Sequence, residues 1–136
     1  MTQKNDIELL IRDLSARAPY RTKVSVGYWE IRKGKPKSVW YERLLTPFLL
    51  HDIEHNDAWE YIKPYLRPLS SMTEEEKKEY EKVCELDTEI LTKHPMNGEP
   101  FPALYNSIDW LNKNHFDYRN LIEKGLAIEA PEGMYN

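Results

Sequence analysis

The stretch 51–55, with the sequence His-Asp-Ile-Glu-His, contains residue types that bind metal ions and transfer protons. Its order is that of the inverted zinc protease motif. On a helix, His51 and His55 would lie one turn apart and could share a zinc ion, with Glu54 as general base. Such a site needs a third protein ligand, and Asn56-Asp57 indicates a loop. We therefore interpret 51–55 as a solvated polar loop and expect neither a metal site nor a zinc hydrolase.

A second group of residues combines positive charge with aromatic rings. A basic run over residues 32–37 lies between Trp29 and the pair Trp40-Tyr41. This combination suits single-stranded nucleic acid, and it suits an acidic protein equally well. A third interpretation is a lysine-rich hairpin tip that keeps an exposed sheet edge from aggregating. The candidate partner-binding residues are Arg32, Lys33, Lys35, Lys37, Trp40 and Tyr41.

Other catalytic chemistry has little support in the sequence. Cys84 lies on the apolar side of a predicted helix, where cysteine behaves as a small hydrophobic residue. The five glycines are too far apart to form a phosphate-binding loop. We therefore predict no catalytic residues and no cofactor.

The composition indicates a soluble globular protein. The 136 residues, 40% hydrophobic and 31% charged, are enough for one domain with its own core. We place a helix and a hairpin in 1–62 and a mainly helical part in 63–136. No apolar run approaches the length of a membrane span, and the first residues lack a signal-peptide pattern. With a single cysteine, the expected location is the cytoplasm.

Charge is distributed unevenly along the chain. Residues 1–45 contain ten basic and five acidic residues, whereas residues 46–136 contain nine basic and eighteen acidic residues. Such an asymmetry can mark a partner-binding face. It also fits two parts of one fold that attract each other.

The N-terminal half predicts a helix followed by a small sheet. Apolar residues recur at helical spacing over 5–16. The pattern that follows predicts a hairpin, with strands over 22–32 and 38–45 and a turn at 33–37. Apolar residues occupy even positions from Val24 to Tyr28 but odd positions at Trp29 and Ile31. This parity change predicts a bulge near Gly27. A further short strand is expected over 58–62.

A well-marked helix start follows the hairpin. Pro64 and Pro68 favour an extended chain over residues 63–69. Thr73 and Glu76 have the spacing of a capping box, which predicts a long helix over 74–92 that covers the sheet.

The rest of the chain predicts a loop and two short helices. The loop spans 94–102, and the helices span 108–112, capped by Ser107, and 118–124, capped by Asp117. The second helix could also be the DNA-reading helix of a helix-turn-helix, although it contains few basic residues. The predicted fold is therefore α+β, with an N-terminal helix, a small antiparallel sheet that can curl toward a barrel, one long helix and two short C-terminal helices.

Two segments resemble a known group of proteins. Residues 63–80, including Lys-Pro-Tyr-Leu-Arg-Pro-Leu-Ser-Ser-Met-Thr-Glu-Glu-Glu-Lys, and residues 107–135, including Ile-Asp-Trp-Leu-Asn and His-Phe-Asp-Tyr-Arg-Asn-Leu-Ile-Glu-Lys-Gly, resemble small proteins encoded by phages and mobile elements of gut bacteria. The N-terminal half matches poorly. The resemblance implies a shared fold and a phage or mobile-element source, and it assigns no catalytic residues.

Together, these features favour a non-enzymatic accessory protein that acts through contacts with another protein. The alternative is a nucleic-acid-binding module that uses the basic and aromatic hairpin. The sequence leaves the oligomeric state open.

Overall fold

The computed structural model describes residues 4–93 and 103–135, which form an α+β fold. Its helices are α1 (Lys4–Arg17), α2 (Pro47–His55), α3 (Glu74–Lys93) and α4 (Ala103–Lys113). Its strands are β1 (Lys23–Arg32), β2 (Lys35–Leu44), β3 (Ile62–Pro68), β4 (Phe116–Asp117) and β5 (Ile128–Glu129). The predicted fold class is confirmed. The predicted loop over 94–102 lies outside the described residues.

The five strands form one mixed, open sheet. The strand order is β2-β1-β3-β4, and β5 also pairs with β3. The β1–β2 and β1–β3 pairs are antiparallel, whereas the two short pairs made by β4 and β5 with β3 are parallel. The sheet does not close into a barrel.

The main core lies where β1 meets the first two helices. Val24 and Val26 of β1 are buried against Leu10 and Leu14 of α1. The same cluster includes residues from α2 and β3, namely Leu49, Ile53 and Ile62. The sheet is therefore covered by α1 and α2. The expectation that the long helix covers it is wrong, because α3 packs mainly along α4.

A second apolar cluster joins α3, α4 and β4. The Trp110 ring stacks on Phe116 with centroids 5.7 Å apart, and Tyr80 of α3 lies 5.2 Å from Trp110 on a tilted plane. Trp110 Nε1 donates to Glu79 Oε1 at 2.9 Å. These contacts hold α3 against the C-terminal part of the chain.

The capping box predicted for α3 is confirmed. The Glu76 N–H donates to Thr73 Oγ1 and the Thr73 N–H donates to Glu76 Oε1, both at 3.1 Å. Arg67 of β3 donates to the same carboxylate through both terminal nitrogens, at 2.7 and 2.8 Å. These bonds, those from Arg67 above all, lower the pKa of Glu76 to about 2. The start of α3 is thereby fixed to β3.

Several local predictions after residue 57 are wrong. Residues 59–61 form a short 3₁₀ turn before β3, where a strand was predicted over 58–62. Ser107 lies inside α4 and does not cap a helix. Residues 121–125 form successive turns, so the short helix predicted over 118–124, and with it a DNA-reading helix, is absent from this described segment. Asp117 still accepts from two backbone N–H groups, those of Leu121 and Ile122, at 3.0 Å each.

A buried ionic network ties α1 to the segment after β4. Asp13 accepts from Arg17 Nε and from Arg119 Nη1, both at 2.8 Å, and neither Asp13 nor Arg17 is exposed. Arg17 Nη2 also donates to the carbonyl of Phe116 at 2.6 Å. Removing one member would leave a buried charge unpaired, which typically costs 3–5 kcal/mol. The network therefore requires the N- and C-terminal parts to fold together.

Tyr135 continues the pairing of β1 and β3 where the backbone ladder ends. The last paired residues are Val24 and Pro64, so Lys23 and Tyr65 would come next in register. The Tyr135 hydroxyl accepts from the Lys23 N–H at 2.9 Å and donates to the Tyr65 carbonyl at 2.7 Å. Its ring stacks on His115 with centroids 3.8 Å apart. Burial raises the pKa of Tyr135 to about 12 and lowers that of His115 to about 4.

We expect Thr73→Ala to lower the free energy of unfolding by about 1 kcal/mol, because the Glu76 N–H loses its acceptor. Ser70→Ala, at an exposed serine outside the helix, is the matched control. Urea denaturation of the two variants measures the difference. An unchanged midpoint for Thr73→Ala would show that this cap does not stabilise α3.

We expect Tyr135→Phe to lower the free energy of unfolding by about 1–3 kcal/mol, because it leaves the Lys23 N–H and the Tyr65 carbonyl without their bridge. Tyr61→Phe is the control, since the Tyr61 hydroxyl makes no hydrogen bond to the residues that the structure describes. Equal denaturation midpoints for the two variants would contradict a stabilising bridge.

Candidate interaction surface

Strands β1 and β2 form a long, regular hairpin. Their register runs without interruption from Lys23 opposite Leu44 to Arg32 opposite Lys35. The turn is only two residues, Lys33 and Gly34, and both have positive φ (52° and 75°). This geometry is typical of the tight turns that match the twist of a hairpin. The five-residue turn predicted over 33–37 is therefore too long, and β2 already begins at Lys35.

The outer part of this hairpin, residues 28–43, projects beyond the core, and we call it the arm. In β1, residues 24–27 are buried, whereas Trp29, Ile31 and Arg32 are exposed. In β2, every residue except Val39 is exposed. Both faces of the arm are therefore open to solvent.

One face of the arm is apolar. Residues paired across the hairpin point to the same face, which places Trp29 and Ile31 of β1 with Pro36 and Trp40 of β2. Trp29 is 64% exposed and Ile31 is 81% exposed. Exposed apolar residues are common singly, but a contiguous group of large ones usually marks an interaction site.

Trp40 anchors the base of this apolar face. Its indole lies over Gly27, where a β-carbon would come within 2.9 Å of the ring. It also lies near the Tyr61 ring, with centroids 6.5 Å apart. The bulge predicted near Gly27 is wrong, because Gly27 pairs directly with Trp40 in an unbroken register. The glycine instead makes room for the indole.

The other face of the arm is polar and internally bonded. Glu30 accepts from the Tyr41 hydroxyl at 2.5 Å and from Arg32 Nε at 3.2 Å. Arg43 donates to the Tyr28 hydroxyl, and the Tyr28 and Tyr41 rings lie 6.0 Å apart. The hydrogen bond to Glu30 raises the pKa of Tyr41, and the same bond lowers the pKa of Glu30.

All six residues proposed from the sequence lie on the arm, but they do not form one group. Arg32 and Tyr41 are bonded to Glu30 on the polar face. Trp40 lies on the opposite face. The three lysines at positions 33, 35 and 37 are exposed and make no ion pair within the described part of the chain.

The candidate residues chosen from the sequence do not include the most exposed apolar residues of the arm: Trp29 was noted only beside the basic run, and Ile31 was missed. The sequence feature that could have identified them is the parity change in β1: apolar residues occupy even positions up to Tyr28 and odd positions from Trp29. Because the strand keeps its register, the change means that the apolar side chains move from the core face to the opposite, exposed face. The parity change therefore marks the point where the strand leaves the core.

The histidine motif lies on helix α2, so its interpretation as a polar loop is wrong. Thr46 Oγ1 accepts from the Leu49 N–H at 3.1 Å, and Pro47 occupies the first turn. His51 and His55 are exposed, with ring centroids 6.3 Å apart. Among the described residues, no group of three or more histidine, cysteine, aspartate or glutamate side chains could hold a metal ion.

Cys84 is a free, half-buried thiol on α3. It lines a shallow groove with Leu69, Met72 and Tyr80.

Within the described residues, none of the helices has the length and apolar character needed to cross a membrane.

Comparisons with protein-family models, curated protein sequences and solved structures found no match.

We expect the purified protein to contain no stoichiometric zinc and to keep its Tm in the presence of a chelator. Two exposed imidazoles on one helix provide two ligands, whereas zinc sites use at least three protein ligands. Metal analysis and thermal denaturation with and without EDTA measure this. One zinc per chain, lost in a variant that combines His51→Ala and His55→Ala, would contradict the expectation.

Proposed function

We propose that this chain is a non-enzymatic accessory protein of a phage or mobile element that binds an acidic protein partner through the arm. The observation that carries the proposal is the exposure of large apolar side chains, Trp29 and Ile31, on a hairpin that extends beyond the core. The single cysteine supports a cytoplasmic location.

The apolar face can supply binding energy. Full burial of one large apolar side chain contributes about 1.5–3 kcal/mol. Tryptophan is also enriched among the residues that dominate binding at protein interfaces. Trp29 and Ile31 have little part in the core, so a partner can cover them without disturbing the fold.

The charge of the arm favours an acidic partner. Residues 28–43 contain five basic and two acidic residues, a net charge of +3, in a chain whose total is −4. The rest of the chain therefore carries −7. Complementary charge speeds association and selects against partners of like charge. The unpaired lysines at positions 33, 35 and 37 are available for this attraction.

The alternative, binding of single-stranded nucleic acid, fits the arm less well. Such sites place basic groups and stacking rings along one groove. Here Trp29 and Trp40 lie on one face, whereas Arg32, Lys35 and Lys37 lie on the other. The hydroxyls of the two tyrosines on the basic face are already hydrogen-bonded within the arm, that of Tyr28 to Arg43 and that of Tyr41 to Glu30.

We expect a display library of random twelve-residue peptides, selected on the immobilised protein, to yield acidic sequences with apolar residues. The enrichment should be lost on a variant with Trp29→Ser, Ile31→Ser, Lys33→Glu and Lys35→Glu. It should persist on Phe48→Ser, the matched control, because Phe48 is 82% exposed but lies on α2 outside the arm. Peptides that bind the wild type and the four-residue variant equally would contradict the proposal.

Binding of a fluorescein-labelled oligothymidine to the wild type and to lysine variants, measured by fluorescence anisotropy, tests the alternative that the arm binds single-stranded nucleic acid. Four phosphate contacts by Arg32, Lys33, Lys35 and Lys37 would give a log–log salt slope of about −3, at roughly 0.7 per contact. We expect at most weak binding that disappears at physiological salt. Micromolar or tighter binding at physiological salt, lost in Lys33→Glu with Lys35→Glu, would favour nucleic acid over an acidic protein.

A further inference from the structure

The outer edge of β2 offers backbone hydrogen-bonding groups. Strand order places β2 at the end of the sheet, with β1 on its inner side. The Leu45 N–H donates to the Thr22 carbonyl at 2.8 Å, which identifies residues 22 and 45 as a hydrogen-bonded pair. Hydrogen-bonded and non-bonded pairs alternate along an antiparallel ladder. Val39, Tyr41 and Arg43 therefore bond inward to β1, and their neighbours face outward.

The residues with outward N–H and C=O groups are Ser38, Trp40, Glu42 and Leu44. Among the described residues, no strand pairs with them. At about 3.3 Å per residue, the stretch 38–44 is roughly 23 Å long. That is enough for an ordinary strand to pair along it.

The lysine and proline residues of β2 lie only near the tip of the hairpin, whereas the stretch 38–44 has one acidic and one basic residue, Glu42 and Arg43. Lysine and proline on an edge strand discourage pairing with another chain. In β2 these residues are Lys35, Pro36 and Lys37, all near the turn. Residues 38–44 contain neither lysine nor proline. The edge is therefore blocked at the tip and open nearer the core.

We infer that the partner binds by adding an extended, acidic strand to the stretch 38–44 of β2. This inference rests on the proposed function, since it specifies how the arm holds its acidic partner. Main-chain hydrogen bonds supply affinity in this binding mode, and alternate side chains supply specificity. A second copy of the arm is disfavoured as the added strand, because both arms carry a net charge of +3.

The two faces of the arm define the side chains of the added strand. On the polar face it passes Arg43 and ends next to Lys37, and both cations favour carboxylates. On the apolar face it passes Trp40, which favours a branched apolar residue. The expected segment therefore alternates acidic and apolar residues.

The probe is a fluorescein-labelled decapeptide of alternating Glu and Val, titrated against the protein by fluorescence anisotropy. Ser38→Pro removes one outward N–H and obstructs the edge, while the inward bonds of Val39 and Lys37 remain. Pro36 already occupies an outward position in the same strand. We expect Ser38→Pro to raise the Kd at least tenfold and Ser38→Ala, the matched control, to bind like the wild type.

A second version of the probe requires no change in the protein. Methylation of every backbone nitrogen keeps the charge and side chains of the peptide but removes its backbone donors. We expect this peptide to bind at least tenfold more weakly. Equal binding of the methylated peptide, or no binding of the unmodified peptide at millimolar concentration, would overturn strand addition.

Further outcomes separate the two proposals. If Trp29→Ser with Ile31→Ser weakens binding but Ser38→Pro and methylation do not, the arm binds through side chains and strand addition is wrong. If none of these changes in the protein or the peptide alters the Kd, both proposals are wrong. Sedimentation of the free protein tests whether the added strand comes from a second copy of this chain. A dimer that is lost in Ser38→Pro would show that β2 of another copy, and not an acidic partner strand, pairs with this edge.

Discussion

The continuous pairing of β1 with β2 is the constraint on which the arm depends. Val24 and Val26 fix the first half of β1 in the core, while the second half has solvent on both faces. An isolated two-stranded hairpin is marginally stable in water. Because the register continues without a bulge, the anchored half holds the exposed half in place. Gly27 lies at the boundary and lets the Trp40 indole pack across it.

The base of the arm is held by contacts between distant parts of the chain. Tyr135 bridges β1 and β3, and the Asp13–Arg17 pair connects α1 with β4 and the segment after it. His115, whose pKa is lowered to about 4 by burial and nearby arginines, is neutral at pH 7 and stacks on Tyr135. These polar groups of the base thus contact other parts of the chain, whereas the side chains of Lys33, Lys35 and Lys37 are exposed. This contrast supports the proposal that a partner binds the arm.

The features predicted correctly from the sequence depend on near neighbours, whereas contacts between distant residues were missed. The capping box at Thr73 joins residues three positions apart, and its pattern is visible in the sequence. The bridge made by Tyr135 spans 112 residues and leaves no local pattern. Helix α2 was missed because Asn56-Asp57 was interpreted as part of a loop over 51–57, and because Thr46-Pro47 was not recognised as a helix start. The hairpin was predicted from the alternating apolar residues of its strands, but the parity change at Trp29 was interpreted as a bulge, because alternation alone cannot show where a strand leaves its core.

Amide hydrogen exchange, followed residue by residue by NMR on the free protein, tests the central claim most directly. The claim is that the arm is a folded hairpin whose outer edge is open. We expect the outward amides of Ser38, Trp40 and Glu42 to exchange nearly as fast as in an unfolded chain, and the inward amides of Val39 and Tyr41 to exchange much more slowly. Uniform protection along β2 would show that the edge is already covered. Uniformly fast exchange would show that the arm is unfolded.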